Sequence, residues 1–382
     1  MTHGPIILAA GGTGGHMFPA EALARALLAR GRLVAVVTDA RGGTFGDALP
    51  GVETFRIRAA TIGRGVVGKL RTALALVVGY GQARRLLKAL RPVAVVGFGG
   101  YASAPTVFAA GRRGVPVLLH EQNAILGRAN RMLARSATRI ATSFPSVGGV
   151  RPGDLGKIVP TGNPVRPGIA AVGDQGYRPP GGGGGVRLLV LGGSQGARAL
   201  SEIVPAALTA LPEPLRRRLV VTQQCRAEDL AGASAVYQRA RIVHRLDTFF
   251  QDVPQLLAEA HLVIARAGAS TIAELTAAGR PAILVPYPHA TDDHQTANAR
   301  ALADAGGAWL MPQQAMTAAT LAERLQALLA DPDALSAAAA AARGFGAVDA
   351  AARLADAVVA LAGLGDNGGR NDDRPERREA AA

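Results

Sequence analysis

Short apolar runs alternate with amphipathic stretches along most of the chain. Eight runs predict buried strands: Ile6 to Ala10, Leu33 to Thr38, Val93 to Phe98, Val115 to His120, Leu188 to Leu191, Leu219 to Thr222, Leu262 to Ile264 and Ala282 to Pro286. The stretches between them predict helices. Strands that alternate with helices are typical of parallel sheets covered by helices, so the pattern predicts an α/β protein.

The pattern occurs twice. An apolar strand leads into a glycine loop and then a helix at IILAAGGTGGHMFPAEALARAL, and again at RLLVLGGSQGARALSEIVPAAL. Between the two, Asn163 to Val186 contains several prolines and five consecutive glycines at 181–185, so we expect no stable element there. We therefore predict two Rossmann-like doubly wound domains that face each other across a cleft.

Domain limits follow from this reading. We expect a first domain over residues 1–167, a Pro/Gly-rich linker over 168–185 and a second domain over 186–347. The amphipathic spacing of 348–364 predicts a helix packed on one of the domains, and the nearly apolar-free tail 365–382 is expected to be disordered.

The cysteine content and the lengths of the apolar runs indicate the cellular compartment. Cys225 is the single cysteine, so neither an internal disulfide nor a cysteine zinc site can form. The first apolar run is too short for a signal peptide, and no run reaches the roughly 18 apolar residues of a membrane-spanning helix. We expect a cytoplasmic protein.

Positive charge is concentrated in the first half. The net charge is +14, but residues 1–167 carry +16 and the remainder carries −2. Such a surface attracts anionic lipid, nucleic acid or a phosphorylated substrate. Aromatic residues make up only 4%, which argues against base stacking and thus against nucleic acid. Residues 62–91 combine apolar and basic positions and predict a docking site for an anionic membrane, although part of this helix should face the core.

Two glycine loops in the first half follow predicted strands. Gly11 to His16 precedes a helix, and its glycines allow backbone N–H groups to approach a phosphate. An NAD-binding turn is the alternative, but Met17 replaces the last glycine of that fingerprint. Gly99 to Pro105 forms the second loop, and a plain tight turn with Tyr101 as packing explains it equally well.

The second half has three comparable segments. Gly192 to Arg198 is a predicted phosphate loop, in which Ser194 either donates to a diphosphate or caps the helix. Ser270 and Thr271 could be caps as well, whereas Glu274 lies one turn further on, where a carboxylate can accept from both ribose hydroxyls. The amides and imidazoles of 286–298 follow another strand, and their spacing does not favour a metal site.

Taken together and in this order, these segments resemble the MurG family of N-acetylglucosaminyltransferases, which have the GT-B fold and convert lipid I to lipid II. The resemblance runs from about Ile6 to about Leu364. It also includes His120 to Asn123 and Gly162 to Arg166. It implies a role in peptidoglycan synthesis, and hence in cell shape and division, at the cytoplasmic face of the membrane.

The resemblance implies UDP-N-acetylglucosamine (UDP-GlcNAc) as donor, no cofactor and no metal. The backbone near Phe250 would meet uracil, Ser194 and Arg166 the diphosphate, and Glu274 the ribose. The other residues implied at the donor are Thr13, Gly14, Gly15, Asn123, Ala269, Ser270, Thr271, Ile272, Ala273, Gln295 and Asn298. Those implied on the acceptor side are Gly11, Gly12, Gly99, Gly100, Tyr101 and Ser103.

An inverting displacement is implied, so the acceptor hydroxyl must lose a proton. His16 is the candidate base because it is the only titratable group of the first loop; ordering the loop or binding the acceptor is the alternative role. Helix starts and Arg166 are expected to stabilise the leaving diphosphate. Three other functions stay open at this point: a UDP-GlcNAc 2-epimerase, an NAD-dependent dehydrogenase and a basic nucleic-acid-binding protein.

Overall fold

A computed structural model describes residues 4–11, 14–39, 49, 51–59, 65–193 and 196–364. The first half forms a seven-stranded sheet with the order β3-β2-β1-β4-β5-β6-β7 and parallel pairing throughout. Its strands are β1 Ile6–Ala9, β2 Val34–Thr38, β3 Glu53–Arg56, β4 Ala94–Gly97, β5 Val117–Glu121, β6 Arg139–Thr142 and β7 Ile158–Pro160.

A second parallel sheet follows, with six strands in the order β10-β9-β8-β11-β12-β13. Its strands are β8 Val186–Leu191, β9 Leu219–Gln224, β10 Val243–Asp247, β11 Leu262–Ala265, β12 Ala282–Leu284 and β13 Ala308–Leu310. Strand order reverses between β1 and β4 and again between β8 and β11. Ligands of doubly wound sheets bind outside the carboxyl ends of strands at such reversals. The predicted pair of α/β domains is confirmed.

Helices cover the sheets. In the first half they are α1 Gly14–Ala29, α2 Gly65–Leu90, α3 Gly100–Arg112 and α4 Arg128–Leu133. The remaining helices are α5 Pro167–Asp174, α6 Arg198–Thr209, α7 Glu213–Arg216, α8 Leu230–Arg239, α9 Val253–Glu259, α10 Ala269–Ala278, α11 His294–Asp304, α12 Ala318–Leu329, α13 Pro332–Phe345 and α14 Ala350–Leu361.

Both faces of the central strands are buried. Ile6 and Leu8 of β1 pack with Leu23 of α1 on one face, whereas Ile7 packs with Leu87 of α2 on the other. Strands covered on both faces are apolar at every position rather than at alternate positions. This is why the continuous runs located β1 and its neighbours correctly from the sequence.

The expectation that no stable element forms in Asn163 to Val186 is wrong for Pro167–Asp174, which is α5. Arg166 is its N-cap residue, and a proline at the start of a helix matches the required backbone angle. Ile169 and Val172 lie three residues apart on one face and are 0% and 3% exposed in the second core. The prediction failed because the glycine run at 181–185, which favours a loop, was extended to the whole segment.

The chain returns to the first half at its end. Leu354 and Val358 of α14 are buried beside Leu23 of α1, and Arg30 of α1 pairs with Asp356 at 2.6 Å. The helix expected over 348–364 therefore packs on the first sheet, although it follows the second in sequence. The limits at 167, 185 and 347 stay predictions, and the tail 365–382 lies outside the described residues.

Candidate functional site

Two helix starts meet across the cleft. Helix α1 begins at Gly14 after β1, and α10 begins at Ala269 after β11. A Cβ atom at Gly15 would lie 4.0 Å from Ser270 Oγ, so the two first turns are close neighbours. Helix starts present N–H groups and a partial positive charge. Their convergence creates a place for an anionic group between the halves.

An arginine lies at the same junction. Arg166 Nη2 donates to Glu274 Oε1 at 2.7 Å, and its guanidinium lies 5.3 Å from the ring centroid of Phe18 on α1. Burial raises the pKa of the Glu274 carboxyl, and the charge and hydrogen bond of Arg166 oppose that rise. Arg166 thus connects α10 with α1 and places a cation beside both helix starts.

Ser270 is not a cap. The N-cap residue of α10 is Gly268, which makes no side-chain cap bond, and Ser270 Oγ is buried without a hydrogen-bond partner in the described chain. Arg166 Nε is buried and unpartnered in the same way. Unmade hydrogen bonds of buried groups are costly, so both atoms are candidates for contact with a ligand.

His16 lies on the opposite side of the cleft, on α1. Its Nδ1 lies 3.2 Å from Gln122 Oε1. Gly99 and Gly100 have φ values of 83° and 70°, and a Cβ at either would lie within 3.6 Å of the imidazole. The loop therefore needs glycine both for its left-handed backbone and for its approach to the ring.

Burial lowers the pKa of His16, while Glu121, Gln122 and the Phe98 carbonyl act in the opposite direction. The imidazole is consequently neutral at pH 7. A neutral imidazole in a cleft has the chemistry of a general base.

Glu121 organises the segment after β5. Its two carboxylate oxygens accept from four donors: Asn123 N and Nδ2 at 3.0 and 3.2 Å, Gly127 N at 2.8 Å and Asn130 Nδ2 at 2.8 Å. The carboxylate is 2% exposed. Such a buried carboxylate fixes the loop that presents Asn123 to the cleft.

Asn298 of α11 joins the two halves. Its Oδ1 accepts from Ala124 N at 2.7 Å, and its Nδ2 donates to Asn123 Oδ1 and to Ala267 O, both at 3.1 Å. The residue is 0% exposed. The fold uses this amide to hold Asn123 in place, and the expected sugar contact of Asn298 stays a prediction.

A second junction lies at the rim. Arg128 and Arg131 of α4 reach Asp292 at 2.7 and 3.0 Å, immediately before α11. Asp292 and Asp293 both have left-handed backbone, with φ values of 54° and 51°. The hydrogen bond and charge of Asp292 raise the pKa of Arg128, and Tyr101 of the second glycine loop adds the smallest contribution. These half-exposed ion pairs therefore connect the two halves at the rim of the cleft, beside the second glycine loop.

Several predicted site residues already have partners within the fold. Ile272 is 2% exposed in the core and its N–H donates to Gly268 O, and its place at the donor stays a prediction. The Ser103 hydroxyl lies 3.0 Å from the carbonyls of Gly99 and Gly100 in the first turn of α3, and its place on the acceptor side stays a prediction. Phe250 is 3% exposed and packs in the second core, so the expected uracil contact would come from its backbone.

The other predicted positions are compatible with the site or lie outside the described part. Gly11 lies against α3, where a Cβ would approach Ala102 to 2.8 Å. Gln295 Oε1 accepts from Tyr287 N at 2.9 Å at the start of α11. Thr271 and Ala273 are half-buried on α10. Gly12, Thr13 and Ser194 lie outside the described residues.

The described ranges contain no group of three or more His, Cys, Asp or Glu side chains able to hold a metal ion. No helix within them is both long and apolar enough to cross a membrane.

Sequence reasoning missed the roles of Glu121, Gln122, Arg128 and Asp292. Glu121 and Gln122 carried a signal, since polar residues directly after a buried strand reach the ligand edge of a parallel sheet. Arg128 and Asp292 carried none, because an ion pair between residues 164 apart in sequence requires the folded chain.

Two family models match the chain. The glycosyltransferase family 28 N-terminal domain matches residues 6–142, and the glycosyltransferase family 28 C-terminal domain matches residues 187–354.

Full-length relatives agree with these matches. The UDP-N-acetylglucosamine--N-acetylmuramyl-(pentapeptide) pyrophosphoryl-undecaprenol N-acetylglucosamine transferase of Rhodospirillum centenum is 59% identical over 380 residues, which covers 100% of both chains. The crystal structure of Acinetobacter baumannii MurG is 31% identical, with a TM-score of 0.76, over 93% of this chain and 99% of that chain.

A UDP-GlcNAc 2-epimerase from Neisseria meningitidis, solved with UDP-GlcNAc, shares the fold at a TM-score of 0.65 over 93% of this chain and 100% of that chain. It is only 11% identical, so this likeness shows the fold alone. Because both halves match the family models and a relative is 59% identical from end to end, the chain belongs to glycosyltransferase family 28, in its MurG group.

Proposed function

We propose that this chain transfers N-acetylglucosamine from UDP-GlcNAc to the C4 hydroxyl of N-acetylmuramic acid in a pyrophosphoryl-undecaprenol-linked acceptor, lipid I, and so makes lipid II for peptidoglycan. The chain is a UDP-GlcNAc-dependent glycosyltransferase of the MurG group. The observation that carries the proposal is the end-to-end identity of 59% to a transferase whose name gives this donor and acceptor. The epimerase alternative loses its support, because it shares only the fold.

The donor is expected to lie against the second half. The convergence of the α1 and α10 starts favours the diphosphate between Gly15 and Ser270, with Arg166 as its cation. Glu274, 2.7 Å from Arg166, is then within reach of the ribose. Asn123 and Gln295 face the sugar in this arrangement, and the backbone at Phe250 would pair with uracil.

The reaction is a single inverting displacement. The acceptor oxygen attacks the anomeric carbon, the bond between that carbon and the diphosphate oxygen breaks, and UDP leaves with the bonding electron pair. The hydroxyl proton passes to a base, for which His16 is our candidate. Positive helix starts and Arg166 stabilise the charge that develops on the diphosphate, so no metal is required in this scheme.

The acceptor side is expected to lie against the membrane. On α2, Leu74 and Val77 are 66% and 67% exposed, and Arg84, Arg85 and Lys88 are exposed beyond them. The same helix buries Leu87 in the first core, so part of its apolar character is structural, as expected. Apolar side chains with a basic rim suit an anionic lipid surface. The side chains of 65–67 and 69–71 and all of 60–64 lie outside the described residues.

Product formation tests the transferase. Purified protein is incubated with labelled UDP-GlcNAc and a lipid I analogue, and the product is analysed for a β-1,4-linked disaccharide. Formation of that disaccharide and release of UDP are expected. Conversion of UDP-GlcNAc to its 2-epimer without acceptor would instead establish the rival activity.

Vesicle binding tests the membrane surface. We expect wild-type protein to co-sediment with anionic vesicles in preference to neutral ones. The double variant Leu74→Asp and Val77→Asp should bind anionic vesicles about tenfold more weakly, because two exposed apolar side chains that would enter the membrane are replaced by negative charges. Leu33→Asp is the matched control, since Leu33 is 60% exposed in the same half but lies outside α2. Equal binding of both variants would count against this surface.

A further inference from the structure

A chain of hydrogen bonds lies behind His16, and its donors and acceptors can be assigned. Gln122 Nε2 lies 3.0 Å from Phe98 O and 3.2 Å from His120 O. Backbone carbonyls only accept, so the NH₂ group of the amide must face them. The opposite atom, Gln122 Oε1, therefore faces His16 Nδ1 at 3.2 Å.

His120 supports the same assignment. Its Nε2 lies 3.2 Å from Gly162 O and must donate to it, which leaves Nδ1 as an acceptor, 3.0 Å from Gln122 Nε2. His120 is 0% exposed, and burial lowers its pKa to about 4. The ring therefore stays neutral at pH 7 and keeps a lone pair on Nδ1, so the two hydrogens of Gln122 Nε2 are shared among this lone pair, Phe98 O and His120 O.

The orientation of Gln122 determines the tautomer of His16. Because Gln122 Oε1 can only accept, His16 Nδ1 must carry the proton. In the neutral ring the free lone pair is then on Nε2. That atom lies toward the second glycine loop, 3.6 Å from where a Cβ at Gly100 would stand.

We propose that Gln122, oriented by Phe98 O and His120, sets the tautomer of His16 so that Nε2 is the proton acceptor for the sugar hydroxyl. Gln122 and His120 are positioning residues in this assignment, because they act through His16 and not on substrate. The proposal rests on the proposed transferase function. It states which nitrogen of His16 carries the proton, whereas the alternative role of His16, ordering the loop, requires no particular tautomer. A catalytic histidine in the wrong tautomer is inactive.

Gln122→Met tests the proposal, since it fills a similar volume without an acceptor. We expect kcat to fall about 100-fold while the Kd for UDP-GlcNAc changes less than twofold. Long-range ¹H–¹⁵N NMR of histidine-labelled protein, assigned with His16→Ala, should show Nδ1–H in wild type and a mixture of tautomers in the variant.

Gln122→Glu provides a second variant. One carboxyl oxygen must keep a proton to donate to Phe98 O, while the other still accepts from Nδ1, so the tautomer should persist and kcat should stay closer to wild type than in Gln122→Met. Glu121 and His120 are the other titratable groups that act on this site; His120 titrates near pH 4 and Glu121 is shared by both proteins.

Gln223→Met is the matched control, because Gln223 is an equally buried amide in the second sheet, bonded to Leu200 O and Tyr237. It should lower stability without changing kcat. Nε2–H in wild-type His16, or lost turnover with an unchanged tautomer in Gln122→Met, would overturn the proposal. A wild-type protein that transfers no sugar would defeat the proposed function instead, and the NMR experiment would still decide the proton position.

Discussion

The two sides of the cleft differ in how completely their polar atoms are paired. On the histidine side, His120, Gln122 and Glu121 have partners for every side-chain nitrogen and oxygen, and Gln122 in turn holds His16, although Asn130 Oδ1 beside Glu121 is buried without a partner in the described chain. On the donor side, Ser270 Oγ and Arg166 Nε are buried without a hydrogen-bond partner in the described chain.

The difference shows where the fold itself supplies order. A buried unpaired donor or acceptor costs about 1–3 kcal/mol, so the donor side is expected to gain hydrogen bonds when a ligand binds. The histidine side is already organised, which is what a group aimed at a transition state requires. We infer that binding of UDP-GlcNAc completes the hydrogen bonds of the donor site, whereas the orientation of His16 is already fixed in the free protein.

The largest expected effect concerns His120, whose pKa is lowered from 6.5 to about 4 by burial. Between these values the unfolded chain binds more protons than the folded chain, so stability falls as pH drops from 6.5 to 4. The loss amounts to about 3 kcal/mol. Urea unfolding of the first half at pH 7, 5.5 and 4 measures it, and His120→Gln should remove that part of the pH dependence. An unchanged pH dependence in His120→Gln would show that other groups are responsible.

Removal of the candidate base is expected to have the next largest effect. His16→Ala should lower kcat about 100-fold and leave the Kd for UDP-GlcNAc nearly unchanged, because the donor contacts lie on the other side. Steady-state kinetics with a lipid I analogue and calorimetry measure the two quantities. His244→Ala, on edge strand β10, is the control and should keep full turnover. Unchanged turnover in His16→Ala would exclude the base role.

A change on the donor side should give the opposite kinetic pattern. Arg166→Gln removes the cation between the two helix starts, so we expect the Kd for UDP to rise about tenfold. Calorimetry with UDP measures this. Arg187→Gln is the matched control, because Arg187 also pairs with a glutamate, Glu259 at 3.0 Å, but on the surface of the same half. Equal affinities of the two variants would place the diphosphate elsewhere.

The smallest effect is expected at the rim. Asp292→Asn weakens the pairs with Arg128 and Arg131, which are 62% and 39% exposed, so kcat/KM should fall only two- to fivefold. Asparagine tolerates the left-handed backbone, which isolates the charge effect. Asp293→Asn has the same backbone conformation without these ion pairs and should be closer to wild type. Raising the salt concentration should reduce the difference between the variants.

The sequence predicted most buried strands and none of the edge strands, and it also missed β6, which has three buried residues. Strands such as β1 and β11 are apolar throughout because both faces are covered. The edge strands β3 and β10 read ETFR and VHRLD, and their polar, half-exposed residues gave no strand signal. Helix α5 was not predicted, because the two apolar positions Ile169 and Val172 are a weaker local signal for a helix than the nearby glycines are for a loop. Their burial depends on the folded second half.

The site was predictable at the level of loops and less so at the level of atoms. Glycine turns after strands located both helix starts, since that spacing has a direct physical reason. The use of the Asn298 amide between the halves, and the orientation of Gln122 by two carbonyls, depend on contacts between distant segments. No local pattern contains that information.

Calorimetric titration with UDP-GlcNAc, with NAD as the comparison ligand, tests the central claim most directly. We predict saturable binding of UDP-GlcNAc, weaker binding in Arg166→Gln, wild-type affinity in His16→Ala and no heat with NAD. Absence of binding to UDP-GlcNAc and to UDP would contradict the account.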